Sequence, residues 1–360
     1  MQHRFARLSC AALAAVLSAC ATMGSGGGTG GTQTAQDSIP ATQWPVRTFE
    51  HVDLWLHGFA MIQDDTTLVP FFKRGYKAEM NDLKRRANVT TQLDANIANL
   101  RNRFAQNPRL VNAQFLPMYF GSLDEMLQAL DLFDRAQGDP QRASSREMAD
   151  LIQLIAGYFP NATDRQFARL FASSIKDEND RFYRAYWDQQ QRERAPVIAA
   201  VNNQWNTYRA RLERFLNNTS QAGGEVILSL PLDGEGRTLT AGKQRNSSAV
   251  TFPATSSTAN EAIYVIAHEV VGQIVQTAVN DNVTPTETRQ GLTDRYIAAG
   301  TVRGGAMLLQ KVAPELVSGY QAYYLRSAGR TGSAFETVFS LPINVRDAIA
   351  RQIDVVLGGI

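Results

Sequence analysis

Thr258-Ala259-Asn260-Glu261-Ala262-Ile263-Tyr264-Val265-Ile266-Ala267-His268-Glu269-Val270-Val271-Gly272-Gln273-Ile274-Val275 is the stretch on which the reading of this chain turns. Thr258 with Glu261 three residues on is a capping box, in which each side chain satisfies the other residue's free backbone N–H, so a helix is expected to start there. Apolar residues then fill almost every position, the composition of a helix buried on all sides. His268 and Glu269 interrupt that composition. So does Gly272, because glycine in a helix interior costs about 1 kcal/mol against alanine. Such a glycine needs a local reason: close packing of a neighbouring helix, or loss of a side chain that once stood there.

Working upstream from this helix, residues 225–232 read as a strand, Asp233-Gly234-Glu235-Gly236 as a turn, and residues 237–242 and 249–253 as two further strands. Downstream, residues 293–312, 314–328 and 344–357 read as helices, with Pro314 in a first turn and Gly329 and Gly358 as C-terminal caps. Helical spacing also marks residues 76–105, through Met80, Leu83, Ala87, Leu93, Ile97, Leu100 and Phe104. Ser122 with Glu125 and Ser144 with Glu147 are capping boxes for two more helices. Helical stretches over 164–194 and 197–217 are divided by Pro196, while residues 44–75 are open between a short helix, a strand and a buried loop. The expected fold class is mostly α (α+β): a helical array over residues 44–221, then a unit over 222–360 built from a small β-sheet and the helix quoted above.

With that sheet in front of it, the His268-Glu269 helix resembles the active helix of the zinc metallopeptidases called zincins. That helix carries H-E-x-x-H in apolar surroundings, and here Val265, Ile266 and Ala267 precede the pair while Val270, Val271, Ile274 and Val275 follow it. The spacing has a chemical reason. Histidines at i and i+4 project from one helix face onto one tetrahedral zinc, and the intervening glutamate acts as general base on the zinc-bound water. The resemblance implies His268 as a zinc ligand, Glu269 as the base, and an edge strand over a substrate cleft. Gly272 stands at the second histidine's position. In the gluzincin branch a glutamate on a following helix is the third ligand; residues 293–312 take that place, but no Glu lies between Asp294 and Lys311, and Gly300 sits in the middle. The expectation is therefore a peptidase-like domain that has lost zinc ligands, holds no cofactor, and binds a peptide or protein. The alternative is an active metal-dependent hydrolase with zinc held by atypical ligands around His268, drawn from His57, Glu287, Asp281 or Asp294.

Other chemistry is thinly represented. Beyond the first residues the histidines are His51, His57 and His268. His57, beside Trp55 and Phe59, is read first as a hydrogen-bonded core residue and second as a ligand. There is no G-x-S-x-G nucleophile elbow, and neither Gly26-Gly27-Gly28 nor Gly304-Gly305 has the strand–helix context of a phosphate loop. Lys73, Arg74, Lys77, Lys84, Arg85 and Arg86 are interrupted by Glu79 and Asp82 and read as a solvated helix face, with contact to anionic headgroups as the lesser reading. Between Asp177 and Arg194, aromatic residues are expected in the core and charges in solvent.

The N-terminus speaks of location. His3, Arg4 and Arg7 precede an apolar run from Leu8 to Leu17, too short for the ~20 residues that span a bilayer, so residues 1–19 read as a signal peptide. Leu17-Ser18-Ala19-Cys20 resembles the bacterial lipobox. The resemblance implies cleavage before Cys20, a diacylglycerol on its thiol and an acyl chain on its new amino group, enough acyl carbon for stable anchoring. Residues 20–43, rich in Gly, Ser and Thr, read as a tether. Ala21 after the cysteine favours the outer membrane of the cell envelope by resemblance to lipoprotein sorting. The two cysteines are Cys10 and Cys20, so no thiol is left for a disulfide, a nucleophile or zinc. Over 360 residues, 36 bases face 34 acids, and Arg4 and Arg7 account for the whole formal excess of +2. A balanced body has no general field for nucleic acid, and 44% apolar content excludes a disordered chain.

Overall fold

The computed structural model describes residues 43–64 and 67–358. The signal segment, Cys20 and the Gly-rich stretch lie outside the described residues. Strand β1 (Val46–Arg47) leads into eight helices: α1 (Glu50–Ile62), α2 (Tyr76–Arg86), α3 (Gln92–Gln106), α4 (Leu123–Arg135), α5 (Arg146–Tyr158), α6 (Ala162–Glu178), α7 (Arg184–Glu193) and α8 (Ala195–Asn218). Three strands follow, β2 (Glu225–Ser229), β3 (Arg237–Thr240) and β4 (Asn246–Thr251). The chain ends in α9 (Asn260–Asn282), α10 (Pro285–Arg289), α11 (Leu292–Val312), α12 (Val317–Ser327), α13 (Phe335–Val338) and α14 (Ile343–Val356). The fold is mostly helical with one small mixed sheet, α+β as the sequence pattern implied.

The sheet order is β1-β2-β4-β3, with β1–β2 and β2–β4 parallel and β3 antiparallel to β4, so β3 is an edge. Side chains alternate across a strand, and here the alternation divides the hydrophobic interior. Val226, Leu228 and Val250 face a core built on α8, α9, α11, α12 and α14. Ile227 and Ala249 face a second core built on α1 to α6. The sheet is thus a shared wall. Helix α8 contributes Val201, Trp205, Leu212 and Phe215 to the first of these cores, although it precedes β2, β3 and β4 in sequence.

Helix α9 runs through the centre of its core, with twelve buried residues from Ala262 to Val279. The stretch Ser256–Asn282 is long and apolar enough to cross a membrane, but 67% of its most apolar window is buried inside the protein, as in a core helix. Its start differs from expectation. Thr258 does not cap it; Thr255 and Thr258 form a reciprocal box on a short 3-10 turn, Ser256–Thr258, and α9 begins after Ala259. Glu261 is diverted from capping by an ion pair with Arg326 at 2.6 Å.

Three other expectations change. Residues 76–105 form two helices, because Asn88 turns left-handed (φ 52°) after α2. Ser145, not Ser144, caps α5, accepting from the Met148 N–H at 3.3 Å. The basic run is not a solvated face throughout. Lys84 is buried against Glu178 at 2.8 Å. Lys73 donates to the carbonyls of Leu230 and Phe252, both at 2.9 Å, and burial pulls its pKa down to about 8. These cations bind the helical array to the sheet and to α6. The open segment 44–75 contains α1, buried on twelve of its thirteen residues.

Candidate functional site

His268 lies near the middle of α9, on the side facing the turn between β2 and β3. Its ring is 2% exposed and stacks on Tyr324 of α12, centroids 5.4 Å apart and planes 21° apart. The turn Asp233-Gly234-Glu235-Gly236 is pressed onto these helices. Tyr324 Oη donates to the Gly234 carbonyl at 3.0 Å, and Ser327 Oγ to Asp233 at 3.1 Å. The two glycines make that approach feasible. A Cβ at Gly234 would stand 2.6 Å from Ser327 Oγ, and one at Gly236 only 2.5 Å from the Ala249 carbonyl oxygen. Larger residues would lift the turn and carry Glu235 away from His268.

The result is a three-residue cluster. His268 Nδ1 is 3.1 Å from Glu269 Oε1, which also accepts the Gly236 N–H at 3.2 Å. His268 Nε2 lies 3.6 Å from Glu235 Oε1, is buried, and has no hydrogen-bond partner among the described residues. One ligand atom from each of Glu235, His268 and Glu269 falls within 4.8 Å of the other two, and among the described residues no other group of three His, Cys, Asp or Glu does so. Burial pulls the His268 ring toward its neutral form, but the carboxylates of Glu235 and Glu269 more than offset this and hold its pKa above the usual value. Side-chain exposure is 19% for Glu235 and 10% for Glu269, so the cluster meets solvent only on the Glu235 side.

The zinc ligands implied by the zincin resemblance do not assemble. Gly272 offers no donor, and a Cβ there would meet nothing within 4 Å, so helix packing does not explain this glycine. Gly300 is different, and the expectation that it marks a lost ligand is corrected. A Cβ on it would lie 2.8 Å from Val275 Cγ1 and 3.2 Å from Ile349 Cδ1, so it is a close-packing glycine between α11, α9 and α14. Glu269 Oε1 is tied to the ring beside it and to the Gly236 N–H.

The alternative ligands lie elsewhere. His57 is 0% exposed on α1, with Nδ1 3.1 Å from Tyr76 Oη and Nε2 3.0 Å from Glu178 Oε1. It is a core histidine, the first of its two readings. Glu287 accepts from Thr284 N and Oγ1, both at 2.8 Å, and from Tyr296 Oη at 3.2 Å; it caps α10. Asp281 and Asp294 are exposed and outside the cluster. His51 Nε2 contacts the Phe120 carbonyl at 2.9 Å, and Asp53 accepts from Leu230 N at 3.1 Å and Trp187 Nε1 at 3.0 Å. The residue that sequence reasoning missed is Glu235. Its one local signal was an acid held between two glycines in the turn between β2 and β3.

Comparisons with protein-family models, curated proteins and solved structures find no match to this chain.

Proposed function

We propose that this protein is a lipid-anchored envelope protein whose peptidase-like unit binds an extended peptide or protein segment without cleaving it. The observation that carries the reading is Gly272: one turn beyond His268, where H-E-x-x-H carries its second imidazole, the chain offers no donor, and a Cβ there would meet nothing within 4 Å. Binding is supported by β3, which among the described residues pairs only with β4 and is partly exposed, next to the Glu235 turn. An edge strand offers a row of backbone N–H and C=O groups to an added strand. Anchoring is supported by the lipobox-like Leu17–Cys20 segment.

Two measurements test the reading. Full-length protein in detergent with added zinc should cleave nothing in a mixed peptide library, and should retain extended peptides by contact with β3. Of Thr238 and Leu239, one N–H faces β4 and the next faces outward, so proline at the outward one should abolish retention while the fold persists. Chelator-sensitive cleavage that disappears in Glu269→Gln would overturn the binding role. For the anchor, Cys20→Ala should abolish lipid labelling and release the protein from membranes; retention after a high-salt wash would contradict it.

A further inference from the structure

We propose that His268 Nε2 and Glu235, with Glu269 holding the ring from behind, bind one divalent transition-metal ion, zinc being the best match, in a site that does not use the H-E-x-x-H spacing. The first mark of the site is the distance between His268 Nε2 and Glu235 Oε1. At 3.6 Å it is too long for a hydrogen bond. It is close to the separation of two donors on one tetrahedral ion, since metal–N and metal–O bonds of about 2 Å place the donors roughly 3.3 Å apart. The second observation is independent of the acids. Among the described residues the buried His268 Nε2 has no hydrogen-bond partner, and an unsatisfied buried polar atom costs about 1–3 kcal/mol unless something fills the need. It faces the carboxylate across a gap that an ion fits and a direct hydrogen bond does not.

The surroundings suit a cation. Two carboxylates lie against the His268 ring, an environment that favours a cation. Glu269 Oε1 at 3.1 Å from Nδ1 holds the ring so that Nε2 presents its lone pair toward Glu235. A carboxylate behind a ligating histidine is the usual device for fixing tautomer and orientation. Mixed imidazole and carboxylate donors fit zinc among the common divalent ions; magnesium and calcium favour oxygen alone. The tether of the turn, from Tyr324 Oη to the Gly234 carbonyl at 3.0 Å, fixes where Glu235 stands before any ion arrives. This inference does not rest on peptide binding at β3, because its test reads bound metal and not peptide.

The test uses the full-length protein in detergent micelles, stripped by a chelator and then dialysed to equilibrium against micromolar zinc chloride. The wild type is expected to hold one equivalent. His268→Gln and Glu235→Gln should each weaken binding at least tenfold, and Glu287→Gln should leave it unchanged. Should His268→Gln fail to fold, Glu235→Gln on the solvent side of the cluster gives the same reading. Cobalt chloride in place of zinc should give visible absorption bands in the wild type that both variants lose. Less than a fifth of an equivalent of zinc in the folded wild type would overturn the site and leave a buried ion pair in its place. So would zinc retained in both variants.

Discussion

His57 sits between Tyr76 and Glu178 with both ring nitrogens in contact, at 3.1 and 3.0 Å. His268 sits between Glu235 and Glu269 with one ring nitrogen in contact at 3.1 Å and the other 3.6 Å from its acid, unpartnered. Both rings are buried and both face carboxylates. Around His57 the surroundings close the electrostatic account. Glu178 takes the Lys84 ammonium at 2.8 Å, and Lys84 also reaches Asp94 at 2.7 Å and Thr91 Oγ1 at 3.1 Å. Around His268 two acids face one ring, and among the described residues Nε2 is left without a hydrogen bond. A buried histidine therefore says little by itself; what separates a structural ring from a site is whether its second nitrogen is satisfied.

The sharpest way to break this comparison is to remove one member of the closed network. Glu178→Ala leaves Lys84 buried without its main counter-charge, and breaking a buried pair from one side costs about 3–5 kcal/mol. Urea unfolding of Glu178→Ala should show a loss of that order, and Glu235→Ala should lose less than about 1 kcal/mol, as expected near the surface. Equal losses would erase the distinction.

Acid is the next probe. Burial raises the Glu178 pKa, but His57 and Lys84 outweigh it and bring it down from 4.5 to about 2. A carboxyl depressed in the folded state contributes stability that is present above pH 4.5 and lost as the pH falls toward 2, here on the order of 3 kcal/mol. The groups facing it are His57, Lys84 and Thr91. Unfolding measured between pH 5 and 2 should show this decline, and Glu178→Gln should flatten it. An unchanged slope would show that other carboxyls carry the acid response.

The two glycines once read together make a smaller test with opposite signs. Gly300→Ala pushes a methyl into Val275 and Ile349 and should destabilise by about 1–3 kcal/mol. Gly272→Ala meets open space and should stabilise by up to about 1 kcal/mol through helix propensity. The same sign for both would mean that one of them has been misread.

What could be read in advance follows from how local each cause is. Helix α9 was legible because its apolar run is continuous, and the strands because each is bounded by turn residues. The start of α9 shifted because Glu261 pairs with Arg326, 65 residues on. Lys84 was read as solvated because its partner Glu178 is 94 residues away, and Lys73 because its carbonyl partners lie 157 and 179 residues away. Half of the candidate site was visible as His268-Glu269 in an apolar helix. Glu235 was not, since only the packing of the turn against α12 brings it over the ring.

The most direct test of the central contrast is nitrogen NMR of the histidine rings in the full-length protein, recorded before and after one equivalent of zinc chloride. The account predicts that the His268 Nε2 resonance moves to the metal-bound range while both His57 nitrogens stay where they were, and that Glu235→Gln removes the His268 shift. A spectrum in which His268 does not respond, or in which His57 responds with it, would contradict the account.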